Sequence, residues 1–246
     1  MNDTINAQLA HRSIREFADT PVSENVMATL FEVAMHTSTS RGFQHAALIR
    51  VTSPELRGRL AQIGSQEYIA RAPELIVAIV DTRRSFRILE EHCADTTPAT
   101  SADAFREGFT DAVLMIQNMT VAAESAGLGV TLLGSILNDI PALVEALSLP
   151  RYTFPALGMI VGYPGQEPQL KPRIPTNLRV MENAYCEPES WCEALHDYDA
   201  EMTTYYDTRD MNRRMDAFTT QVVRKLQSTP VKDAFFDHVK AQGFGL

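Results

Sequence analysis

Apolar positions recur along this chain in two rhythms, and each predicts its own kind of element. From Ser23 to His36, the residues Val26, Met27, Leu30, Phe31 and Ala34 share one helical face, with Ser23 placed as an N-cap. Ser53-Pro54 opens a second helix, serine as cap and proline at the first helical position. Between Ala104 and Ala126, Phe105, Phe109, Ala112, Val113, Ile116, Met119 and Ala123 keep helical spacing. That stretch predicts the longest helix, central and buried over most of its surface, and Gly127-Leu128-Gly129 predicts its stop. Unbroken apolar runs read differently. Leu75 to Val80 is rich in Ile and Val and predicts a strand buried on both faces. Ala46 to Thr52, Val130 to Leu133 and Phe154 to Val161 predict further strands. Thr37 to Gly42 reads as a hydroxyl-rich loop, and Thr96 to Asp103, rich in Thr, Pro, Ala and Ser, as a flexible one.

Alternating helices and strands predict a central sheet layered with helices. From about Trp191 the sequence turns polar, charged and helical, with Tyr205, Tyr206, Arg209, Arg213 and Arg214. The reading is one domain over residues 1–246, with 191–246 as a C-terminal helical extension.

Composition sets boundaries on this picture. Apolar residues make up 45% and charged residues 22%, the range of a globular chain. No stretch approaches the roughly 18 uninterrupted apolar residues of a membrane span. Met1-Asn2-Asp3-Thr4 lacks a basic or apolar leader, so no secretory signal is predicted. Cys93, Cys186 and Cys192 are odd in number and form no CxxC pair, which points to free thiols in a reducing, cytoplasmic setting. With 22 Lys+Arg against 31 Asp+Glu, the net charge of −9 argues against non-specific nucleic-acid binding.

Common catalytic motifs are absent. Gly127-x-Gly129 begins a dinucleotide fingerprint, but position 132 is Leu and the helix precedes the strand. The six histidines show no metal-ligand spacing, and no serine sits in a G-x-S-x-G elbow. No metal site and no catalytic side chain is assigned. If the chain is an enzyme, a bound organic cofactor carries the chemistry.

Against the acidic background stand two basic clusters, His11-Arg12-Ser13-Ile14-Arg15 and Lys171-Pro172-Arg173. Either alone also fits solvated surface. Meeting in space, they would suit a flavin or nucleotide phosphate, which takes several charge-assisted hydrogen bonds. Residues two apart on an extended segment point the same way, so Lys171 and Arg173 can share a target.

Together with Gly64-Ser65-Gln66, the run Ala122 to Gly129, Leu133-Gly134-Ser135 and the run Leu170 to Pro175, these clusters form an ordered set. The set resembles the nitroreductase family of FMN flavoproteins, in particular its oxygen-insensitive NADPH nitroreductase and flavin reductase branch. The resemblance implies an α+β fold, a mixed central sheet flanked by helices, in a homodimer with FMN in each interface cleft. It assigns FMN contacts to His11, Arg12, Ser13, Arg15, Gln66, Leu133, Gly134, Ser135, Lys171 and Arg173, and to Ser38, Thr39 and Ser40 from the other subunit. Where this chain has Ser135 the family usually has a second glycine. Arg41, Phe43 and Gln44 would line the substrate pocket, and Arg209, Arg213 and Arg214 would hold the NADPH 2′-phosphate. The implied activity is ping-pong hydride transfer from NADPH, through flavin N5, to nitroaromatic, quinone or flavin acceptors. A reductase dedicated to one acceptor, and a flavin-binding sensor without turnover, stay open as alternatives.

Overall fold

The buried apolar run Leu75 to Val80 becomes a central strand of a four-stranded sheet. The computed structural model describes residues 2–207, 216–228 and 234–245. Its strands are β1 (Ala46–Arg50), β2 (Glu74–Asp81), β3 (Gly129–Leu133) and β4 (Thr153–Gly162), in the order β1-β2-β4-β3. All three ladders are antiparallel. The N-terminal run adds a parallel bridge, Ser13 to Val130, at the β3 edge. Ala78 pairs with Leu157 and Ile79 with Pro155, so Ala156 is the extra residue of a β-bulge. Residues 75–80 are between 0 and 6% exposed, as an apolar run buried on both faces requires.

The described residues fall into two units, 1–168 with 233–246 and 169–232. In the first, the helices up to residue 168 are α1 (Asp3–Leu9), α2 (Glu24–Met35), α3 (Pro54–Gly64), α4 (Tyr68–Arg71), α5 (Arg83–Glu91), α6 (Ala102–Ser125) and α7 (Ile140–Ala146). One sheet face is covered by Met27 and Leu30 of α2 and Met115, Ile116 and Met119 of α6, packed on Ile76, Ala78, Met159 and Val161. The other is covered by Leu60 of α3, Ile69 of α4 and Leu143 of α7, packed on Leu75, Val77 and Ile160. Ser23 and Ser53 cap their helices as the sequence predicts, accepting from the Val26 and Leu56 N–H groups. Each such cap contributes about 1 kcal/mol.

Two expectations are corrected. Residues 96–103 are not a flexible loop: Thr97–Thr100 makes a 3-10 turn, Ala99 is buried, and Ser101 caps α6. Its hydroxyl-rich composition supplies caps rather than freedom. α6 is also less buried than its apolar pattern implies. Val113 is 39% and Leu114 46% exposed, because only one side of the helix lies on the sheet.

The second unit holds α8 (Trp191–Ala194), α9 (His196–Asp207) and α10 (Phe218–Ser228). Leu195, Tyr198 and Met202 form its core with Ile174, Leu178 and Phe218. Asp199 accepts from the Thr219 N–H at 2.9 Å, tying the start of α10 to α9. The chain then rejoins the first unit as α11 (Phe235–Ala241), where Phe235, Val239 and Phe244 pack with Val80, Phe105, Ile140 and Phe154. Among the described residues no helix is long and apolar enough to cross a membrane.

Candidate functional site

The N-terminal basic run is held in place by β3. Ile14 N–H donates to the Val130 carbonyl at 3.0 Å, and the Thr131 hydroxyl donates to the Ile14 carbonyl at 2.6 Å. Glycine at 129 permits this approach, since a Cβ there would lie 2.6 Å from Ile14 Cγ1. Ile14 is buried, and His11, Arg12, Ser13 and Arg15 around it are half-buried. His11 and Arg12 line a cavity of about 590 Å³ together with Glu124 and Gln166. His11 Nδ1 lies 2.5 Å from Glu124 Oε1. An ionised carboxylate only accepts, so Nδ1 carries the proton and Nε2 is left for another partner. Arg12 Nε is buried and has no hydrogen-bond partner among the described residues. A buried donor of this kind is costly unless an acceptor arrives. Arg15 lines a second cavity, of about 620 Å³, with Arg71, and its guanidinium lies 6.0 Å from the Tyr68 ring centroid.

Tyr68 leads on to Gln66. Helix α3 stops at Gly64 because Ser65 turns left-handed, with φ 51°, and the Gln66 N–H closes back on the Ala61 carbonyl at 3.0 Å. Gln66 Oε1 accepts from the Tyr68 hydroxyl and from the Ser135 hydroxyl, each at 2.7 Å. Ser135 reaches it from the 3-10 turn Gly134–Asp139 that follows β3. Leu133 is buried at the strand end, whereas a Cβ built on Gly134 would meet nothing within 4 Å. The structure therefore links Arg15 to Gln66 through Tyr68, a residue the sequence reading missed, and Gln66 to Ser135 directly. Its position two residues beyond Gln66 was the available signal.

The hydroxyl loop is anchored elsewhere. Ser38 is exposed, and Thr39 and Gln44 line a different cavity, of about 550 Å³, with Met35, Asp81 and Arg84. Ser40 N–H donates to Asp111 Oδ1 at 2.8 Å, and His45 N–H to Oδ2 at 3.3 Å. Arg41 has φ 53° and pairs with Glu107 at 2.6 Å, its guanidinium 4.9 Å from the Phe43 ring centroid. Phe43 is 49% exposed. Glu107 and Asp111, four apart on α6, thus seat the turn. The signal for them was an acidic pair lying inside an apolar helical stripe. His45 is buried, with Nε2 2.8 Å from the Ser85 hydroxyl and no partner for Nδ1 among the described residues. Burial holds its pKa below the usual imidazole value, opposed by the charges of Asp111 and Glu107.

Lys171 and Arg173 belong to the second unit and are both exposed, with Pro172 and Ile174 partly buried between and beyond them. Arg173 Nη1 donates to the Lys171 carbonyl at 2.6 Å. Arg209, Arg213 and Arg214 lie outside the described residues.

Residues 9–163 match the model of the nitroreductase family, and residues 171–246 match that of its C-terminal domain. The chain belongs to the nitroreductase family. Among nitroreductase relatives, it is 36% identical over 227 residues to the NADPH-flavin oxidoreductase of Vibrio harveyi, covering 92% of each chain. It is likewise 36% identical over 227 residues to the oxygen-insensitive NADPH nitroreductase of Salmonella typhimurium, again with 92% of each covered. The solved structure of NADPH:FMN oxidoreductase from Vibrio harveyi complexed with NAD+ superimposes with a TM-score of 0.85, at 32% identity and 99% coverage of both chains.

Proposed function

We propose that this nitroreductase is an NADPH-dependent FMN oxidoreductase that reduces nitroaromatic, quinone or flavin acceptors by a ping-pong cycle. What carries the reading is nearly full-length similarity to relatives named as NADPH-flavin oxidoreductase and NADPH nitroreductase. The residues present fit FMN. The buried Arg12 Nε lacks an acceptor, and Gln66 has its oxygen engaged and its amide N–H groups to offer. Phosphate oxygens and the carbonyl edge of a flavin are matching acceptors.

In this reading His11, Arg12, Ser13 and Arg15, with Lys171 and Arg173, hold the phosphate and the adjoining ring edge. Gln66 donates to the ring, and the open space at Gly134 admits a flat group against the backbone. FMN held by these residues would supply the two-electron chemistry between NADPH and the acceptor. The protein orients the stacked partners and excludes competing geometry, and no side chain is required as acid or base. Arg41, Phe43 and Gln44 border the acceptor's entry, and Arg209 and Arg213 grip the NADPH 2′-phosphate. A homodimer, with Ser38, Thr39 and Ser40 supplied across the interface, is supported by apolar residues left exposed on α2, α6 and the turn between α2 and β1: Met35, Val113, Leu114 and Phe43. A cytoplasmic site is supported by three exposed free cysteines.

The test is the visible spectrum of the purified protein before and after anaerobic NADPH. Flavin bands that bleach with NADPH, followed by parallel initial-rate lines with a nitroaromatic acceptor, are expected. A colourless protein that takes up no added FMN would overturn the reading, and intersecting lines would overturn its ping-pong part.

A further inference from the structure

We infer that Ser135 is a positioning residue for the flavin site, acting through Gln66; this rests on the FMN reading above. Gln66 Oε1 accepts two hydroxyls at 2.7 Å, one from Tyr68 and one from Ser135. Both carbonyl lone pairs are then used, and both hydroxyl protons are satisfied. Rotating the amide by 180° would turn its NH2 group toward the same two hydroxyls. The oxygens could accept, but two hydroxyl protons would lose their acceptor in a part-buried site, at a cost for each. The pair of hydroxyls therefore selects one orientation of the amide.

The backbone supports that selection. Gly64 lies where a Cβ would be 3.3 Å from Ser135 Oγ and 2.8 Å from Ile69 Cδ1, so glycine lets the end of α3 and the turn after β3 close on each other. Ile69 and Ile136 are fully buried beside the two hydroxyl-bearing residues and fix their backbones. Arg15, lying over the Tyr68 ring, links this arrangement to the N-terminal run. The consequence is a chemical preference. Gln66 presents only N–H donors away from Tyr68 and Ser135, so a bound ring must meet it with an acceptor edge. Donation to that edge stabilises electron-rich, reduced flavin and raises its potential.

The experiment is a double-mutant cycle on FMN binding, read by flavin fluorescence quenching with the apoprotein, using Ser135→Ala, Gln66→Leu and the pair. Ser135→Ala should weaken FMN binding about 3–10-fold, the worth of one hydrogen bond, and lower the flavin midpoint potential. In the Gln66→Leu background the same change should move binding less than twofold, because Ser135 then has no amide to orient. Ser135→Gly, which removes the same hydroxyl, should match Ser135→Ala. An unchanged dissociation constant in Ser135→Ala, or an equal loss in both backgrounds, overturns the inference while leaving the FMN reading intact. A wild-type protein that takes up no FMN overturns both, and gives no constant to compare.

Discussion

Replacing Asp111 with alanine tests whether α6 seats the turn that follows α2. Asp111 is 1% exposed and accepts from Ser40 N–H at 2.8 Å and His45 N–H at 3.3 Å. A hydrogen bond to an ionised group contributes about 1.5–3 kcal/mol. The Ser40 bond is short and belongs in that range. The His45 bond is longer, but His45 is 3% exposed, so its N–H finds no water when the carboxylate goes. Ser40 is only half-buried and its N–H can be rehydrated. A loss of about 3 kcal/mol follows, which for a domain of this size lowers Tm by roughly 6–12 °C. The turn also contains left-handed Arg41 and Gln44, with φ 53° and 55°, each of which strains a side-chain-bearing residue. Without its anchor the turn should relax, and Ser38, Thr39 and Ser40 should become sensitive to limited proteolysis. Thermal melting by circular dichroism measures the effect. Asp111→Asn should be intermediate, since it keeps one acceptor and sets an NH2 group against the other N–H. A drop in Tm below about 3 °C for Asp111→Ala would refute the seating argument.

Three further outcomes are expected. Gly129→Ala drives a Cβ to within 2.6–2.9 Å of Ile14, so overpacking should cost about 1–3 kcal/mol in urea unfolding. Trimming Ile14 to Ala in that background should return part of the loss, and no return would count against the contact. Glu124→Ala removes the partner that fixes the His11 ring, and FMN binding to the apoprotein should weaken by about 3–10-fold, the worth of one ordinary hydrogen bond, because the residue positions a contact and does not make one; unaltered fluorescence titration would contradict it. His45 makes stability depend on pH. Its folded pKa is lowered by burial, so the unfolded chain takes up the proton first. The contribution is complete above about pH 6.5 and drains away as the pH falls through the folded value. His45→Gln should flatten the curve of melting temperature against pH in that window, and an unchanged curve would exclude His45 as its source.

Much of the fold could be read because burial leaves a mark on sequence. Strand β2 showed as an unbroken apolar run, and α2, α3 and α6 by caps and periodic faces. Helices α1 and α5 did not show: α1 buries no residue, and α5 is a short Arg- and Glu-rich segment whose Phe86 and Leu89 are only half-buried. Helix α7 had a signal that was overlooked: Asp139 accepts from the Ala142 N–H, with Pro141 in the first turn. In the candidate site, residue types were legible and pairings were not. His11 meets Glu124 across 113 positions, Ser40 meets Asp111 across 71, and Gln66 meets Ser135 across 69. Nothing local encodes such partners, because they are set by the register of β3 and the placing of α6 on the sheet.

The return of α11 to the first unit constrains how the protein can be made. Phe235, Val239 and Phe244 complete the cluster around Phe105 and Phe154, and the Gln242 carbonyl accepts from the Tyr152 N–H. During synthesis, the whole of residues 169–232 must be translated before those groups emerge. At about 5–20 residues per second, that leaves the aromatic end of the sheet uncovered for roughly 3–13 s on the ribosome. A nascent chain in that interval has a nearly finished sheet with an open apolar edge, the state in which a holding chaperone or an intermolecular contact competes with folding. Slowing translation through residues 169–232 should therefore lower the soluble yield without altering the stability of the finished molecule.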